Sequence, residues 1–146
     1  LTNIKFMKII KRGYKSLIKN PSILFSKKNR SIKFHFDMHH GYGNLDKAIN
    51  IMDTKDRNDF KLYCENNNKL MAHDIFFSKP KVINQLYENL FNWISDCEKI
   101  FGTNLVGYDL GRIYAFLAER FIPFWLTKYY RVKTWPFIFH DTRNKI

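Results

Sequence analysis

Residues 107–125, Gly-Tyr-Asp-Leu-Gly-Arg-Ile-Tyr-Ala-Phe-Leu-Ala-Glu-Arg-Phe-Ile-Pro-Phe-Trp, set the strongest constraint on what this chain can become. The run is too apolar to lie in water around its whole circumference, yet Arg112, Glu119 and Arg120 stand within it. Charges in such surroundings need partners or a task. Asp109 is suited to cap a helix that continues to about Tyr129, with Tyr114, Leu117, Phe121 and Phe124 on the core side. A kink is expected at Pro123, which cannot donate to the carbonyl of Glu119. Such a helix demands a core to pack on, and 146 residues with 45% apolar content supply one domain's worth.

The clearest second element starts at Ser78 and Pro80, proline being favoured at a first helical position. Ile83, Leu86, Leu90, Ile94, Cys97 and Phe101 form its apolar stripe, and Gly102 ends it. Asp53 offers a cap for a polar helix to about Glu65, and Asn44 for a shorter one through Met52, after the break at Gly41 and Gly43. Three short apolar runs read as strands: Ile23-Leu24-Phe25, residues 73–78, and residues 134–139, with Pro136 marking an edge. The expected class is therefore α/β, predominantly helical.

Charge is distributed unevenly. Residues 1–33 hold ten basic side chains and no acid, whereas the remainder holds fifteen basic and thirteen acidic ones. Within this arm Met7, Ile10, Tyr14, Leu17 and Ile18 recur at helical spacing among lysines, a pattern weakened by Gly13. It fits an interfacial helix and equally an ordinary surface helix packed on the body. Residues 1–21 thus form a basic amphipathic arm, 22–140 a folded domain and 141–146 a polar tail. Aromatic residues fall in apolar periodic positions rather than among the basic ones, which argues against nucleic acid as a partner. No apolar run approaches the roughly 20 residues of a membrane span. Cys64 and Cys97 make no disulfide framework, so a reducing, cytoplasmic setting is the default.

Candidate site residues are few. On a helix His35 and His39 share a face, as a two-histidine metal pair would, but no third ligand accompanies them, and packing or substrate hydrogen bonding accounts for the pair as well. His73-Asp74 lies at the polar end of an expected strand, where site residues often sit, although Asp74 serves equally as a turn residue. Asp109 and Glu119 would stand roughly 15 Å apart along a helix, too far for a close carboxylate pair. Arg112 and Glu119 share a face; alternatively, Glu119 and Arg120 form a supporting ion pair.

Four segments, taken in order, carry a resemblance: residues 33–46 with His39-His40; His73-Asp74-Ile75-Phe76-Phe77 followed by Lys79-Pro80; the helix leading to Cys97-Glu98-Lys99; and Arg112-Ile113-Tyr114-Ala115-Phe116-Leu117-Ala118-Glu119-Arg120-Phe121. Their order and spacing resemble the bacterial glycosyltransferase-like family catalogued as domain of unknown function 4422, over residues 23–139. The resemblance implies the C-terminal portion of a glycosyltransferase A-type fold, acting in capsule or lipopolysaccharide biosynthesis. It implies a nucleotide-sugar donor and a glycan acceptor, leaves the cofactor open, a divalent cation held with the nucleotide sugar being one option, and is compatible with a cytoplasmic location, the inner face of the membrane included. Glu119 and Asp74 are then the expected catalytic residues, with Arg112, His39, His40, His73 and Asp109 binding substrate.

Departures from the family pattern are visible. Its donor-binding N-terminal half has no counterpart, Asp74 stands where Asn is usual, and Ser22 stands where an acid is usual. The chain, which begins at Leu1, thus looks like the acceptor-side half of a transferase. From charge alone, a second expectation is a non-catalytic basic module whose residues 1–33 dock on an anionic membrane surface or another polyanion.

Overall fold

The computed structural model describes residues 3–71 and 75–136. Every regular element among them is helical: α1 (Asn3–Lys19), α2 (Ile32–His40), α3 (Asn44–Asn50), α4 (Thr54–Asn66), α5 (Pro80–Phe101), α6 (Tyr108–Gly111) and α7 (Ile113–Tyr129), with two 3-10 turns between α1 and α2.

Local chemistry sets most of the boundaries. Pro21 stops α1 and opens the first 3-10 turn, Pro21–Ile23, and Arg30 Nε and Nη2 donate to the carbonyls of Ile23 and Leu24 at 3.1 and 3.2 Å. Ser31 caps α2 by accepting from the Phe34 amide, and Asp53 caps α4 by accepting from that of Lys55. Between α2 and α3 the chain passes through Gly41 at φ 95° and Gly43 at φ 81°, a region that side chains disfavour. The Gly43 amide there donates to the buried Asp37 carboxylate at 3.1 Å.

One core joins α2, α3, α4, α5 and α7. Phe36, Leu45, Phe60, Leu86, Leu117 and Phe121 are almost wholly excluded from water within it. Phe60 meets Trp93 edge-on at 5.6 Å between ring centres, a favoured aromatic geometry. Trp93 Nε1 donates to the Ala48 carbonyl at 2.8 Å, tying α5 to α3. At the far end Lys128 pairs with Asp56 and Asp59, and the Tyr129 hydroxyl donates to Asp56 at 2.6 Å, closing α7 on α4. A second, smaller cluster of Ile9, Ile23 and Phe34, joined by Leu17, Leu24 and Met38, seats α1 on α2.

The α/β expectation is corrected. Among the described residues there is no strand, so the glycosyltransferase A-type fold, which is built on a central sheet, is not what this chain forms. Ile23 ends the 3-10 turn and Leu24 and Phe25 continue as a turn; residues 75–79 and 134–136 run without regular structure. The rest of the two later runs, including His73 and Asp74, lies outside the described residues. Of these runs Ile23 is buried, whereas Phe25, Ile75, Phe77 and Trp135 are exposed. The rings of Phe77 and Trp135 bring two of the runs within 6.1 Å of each other, yet no ladder forms among the described residues.

Asp109 is also placed differently. It lies inside the four-residue α6, not at the start of α7, and makes no capping bond. At Arg112, with φ −112° and ψ 18°, the backbone leaves helical geometry before α7 begins. Pro123 is accommodated within α7, where the Thr127 hydroxyl donates to the carbonyls of Pro123 and Phe124.

Candidate functional site

Between α2 and the middle of α7, one guanidinium organises the surroundings. Arg120 is 1% exposed. Its Nη1 donates to the Phe116 carbonyl at 2.8 Å and to Glu119 Oε2 at 3.0 Å. Nη2 lies 3.3 Å from His35 Nδ1. Arginine only donates, so this nitrogen of His35 accepts and its proton sits on Nε2. The guanidinium also faces the rings of Phe36 and Phe116, at 5.3 and 5.8 Å, which is favourable for a cation removed from water.

The three histidines of α2 are held neutral. Desolvation, then the proximity of His39 and Arg120, push His35 down to about 4. His40 also falls to about 4, chiefly through desolvation, against the opposing bond from its ring to the Asp109 backbone. That bond, 3.2 Å from Nδ1 to the Asp109 carbonyl, requires the His40 proton on Nδ1, because a carbonyl only accepts. His40 stacks on Phe116 at 3.9 Å. His39 is lowered mainly by desolvation, with Asp109 opposing; its ring lies 4.7 Å from that of His35.

Two further expected residues frame this cluster. Asp109 Oδ2 pairs with Arg12 of α1 at 3.4 Å. Arg112 lies over the rings of Tyr108 and Phe116, and its Nη1 donates to the Tyr108 hydroxyl at 2.7 Å.

Beside His35 and His39 a groove of about 750 Å³ opens between α1, α2 and the segment after α4. Its apolar surface comes from Ile9, Ile32, Phe34, Met38 and Leu70; Lys8, Arg12, Lys27 and Arg30 supply positive charge, and Ser31 and Asn68 supply neutral polar groups. No acidic residue lines it. A smaller recess of about 290 Å³ lies on the other side of His39, bordered by Lys15, Asp37, Tyr42 and Asp109.

The structure therefore gathers His39, His40, Asp109 and Arg112 of the expected site residues around α2, α6 and the first turns of α7. Glu119 joins them through Arg120 rather than Arg112. His73 and Asp74 lie outside the described residues. In the sequence Lys8 and Arg12 stand out only as members of the basic arm; their spacing of four residues on α1 matches that of His35 and His39 on α2, a signal that acquires meaning only when the two faces are paired. As for the two-histidine metal reading, no group of three or more potential ligands occurs among the described residues, and the Arg120 guanidinium at His35 opposes a cation there.

No family model matches the chain, and no curated protein or solved structure matches it either. The functional expectations drawn from the resemblance are corrected together with the fold. In a sheet-based transferase the donor sits beyond the carboxyl ends of parallel strands; no such edge exists among the described residues. Nothing here supports a glycosyltransferase, sugar transfer by Glu119, a nucleotide-sugar donor or a glycan acceptor. Docking of residues 1–33 on an anionic membrane is corrected as well: α1 is seated on α2 through Ile9 and Leu17 instead of standing free. No described helix is long and apolar enough to cross a membrane.

Proposed function

We propose that this protein is a ligand-binding helical module whose groove between α1 and α2 takes a small amphiphilic anion, an acyl or aryl group bearing a phosphate or carboxylate head. The observation that carries this reading is the combination, in one groove, of four cationic side chains and no acid with an apolar floor. Its volume of about 750 Å³ is in the range of pockets that enclose small organic ligands. Lys8 and Lys27 attract the head, which His35 Nε2–H can meet as a neutral donor; Arg12 stands beside them, its charge shared with Asp109. Phe34, Met38 and Leu70 take the apolar part. Arg30, already committed to the carbonyls of Ile23 and Leu24, holds the far wall in place.

Calorimetric titration with decyl phosphate below its micelle concentration tests the proposal. Decyl phosphate is expected to bind at least about tenfold more tightly than inorganic phosphate, because burying the chain contributes roughly 0.8 kcal/mol per methylene. Decyltrimethylammonium is expected not to bind. Lys8→Glu combined with Lys27→Glu removes the binding, and both side chains are exposed, so the fold survives. Equal affinity for decyl phosphate and the cationic surfactant, or unchanged binding in the double variant, overturns the reading.

A further inference from the structure

The outer face of α1 belongs to neither core. At about 3.6 residues per turn, Met7, Ile10, Tyr14 and Ile18 form one stripe, and all four are exposed, Ile18 to 76%. One border of the stripe is cationic: Lys11 and Lys15 lie directly beside it, with Lys8, Arg12 and Lys19 further round, and α1 contains no acidic residue. The other border is the body of the protein, where Ile9 and Leu17 turn toward Ile23 and Phe34. The helix is fixed in this attitude. Phe34 would lie 3.0 Å from a Cβ at Gly13, and Arg12 pairs with Asp109 of α6.

We infer that this seam docks an acidic amphipathic helix from a partner protein. Its apolar residues, spaced i, i+3, i+7 and i+11, lie along Met7, Ile10, Tyr14 and Ile18, and its carboxylates lie over Lys11 and Lys15. Charge selects this occupant over a second copy of the same face, which would set lysine against lysine. Shape selects it over a lipid surface: the seam has a cationic border on one side only and spans about 16 Å, the dimensions of a rod laid alongside another. The docking is independent of the groove ligand, since Met7 and Ile18 do not line the groove.

Fluorescence anisotropy on the full chain tests it with three probes. They are a labelled helical peptide with leucines at that spacing and glutamates along one flank, the same peptide with lysine for glutamate, and phosphatidylglycerol vesicles. The acidic peptide is expected to bind, and to bind less tightly as salt rises. Met7→Ser with Ile18→Ser is expected to weaken it at least about tenfold, from the apolar area lost, while circular dichroism and decyl phosphate binding stay unchanged. Lys11→Glu with Lys15→Glu is expected to transfer preference to the lysine peptide. The inference is overturned if neither peptide binds, if both bind alike, if the serine variant binds as the parent does, or if only the vesicles bind.

Discussion

His40 is the residue at which the packing becomes a measurable dependence on pH. Its ring is 4% exposed, stacked on Phe116 and committed through Nδ1–H to the Asp109 carbonyl. Its folded-state value of about 4 lies below its ordinary 6.5. In the unfolded chain the imidazole takes up a proton as pH falls through 6.5, and in the folded chain only near 4. The stabilisation is therefore complete above about 6.5 and is lost progressively as pH drops toward 4. At about 1.4 kcal/mol per unit, His40 should account for on the order of 2 kcal/mol of the stability lost between pH 7.5 and 4.5. His35 contributes in the same direction but less, being open to solvent on the groove side. His40→Asn retains a donor for the Asp109 carbonyl and cannot charge, so urea denaturation should show a smaller loss across that interval than in the parent. An identical loss in the two proteins would remove His40 from the acid response.

Among the elements, the α1–α2 contact turns on Gly13, which a reading of propensity alone treats as a flaw. A Cβ there would meet the Phe34 ring at 3.0 and 3.1 Å, so the glycine is what lets the two helices approach. Two effects compete in Gly13→Leu. Helix propensity gains about 1 kcal/mol, and overpacking against Phe34 costs about 1–3 kcal/mol. The second should win, with α1 amides exchanging hydrogen faster while those of α5 and α7 are unaffected. Faster exchange everywhere would mean that the smaller cluster is not a separate unit.

Helices were legible where periodicity and end signals agreed: Pro80 and Gly102 bracket α5, and Asp53 marks α4. Even so, Trp93 belongs to the buried side of α5 although the apolar spacing passes over it. Where the residues are described, the strand expectations failed because three or four apolar residues carry no period of their own, and Pro21 opens a turn as readily as it borders a strand. The shared face of His35 and His39 was legible from their spacing. The groove was not, because it exists only once α1 lies across α2, a pairing that no local pattern encodes.

For the molecule as a whole, the formal charge of +12 works against compactness, and ten of the basic groups fall in the first 33 residues. Raising sodium chloride from about 20 to about 300 mM shortens the screening length from about 20 to about 6 Å. Self-repulsion among α1, the 3-10 turns and α2 then falls by more than the exposed ion pairs lose. The melting temperature followed by circular dichroism should rise by a few degrees; a fall would place the balance with the ion pairs. The arrangement of the core carries one more consequence. Ile113, Leu117, Phe121, Phe124 and Trp125 of α7 join a cluster otherwise built from α2 to α5. During synthesis, α2 to α5 therefore leave the ribosome with their common apolar side uncovered, and it closes only after α7 has emerged. For that interval the nascent chain exposes the kind of apolar surface that chaperones bind.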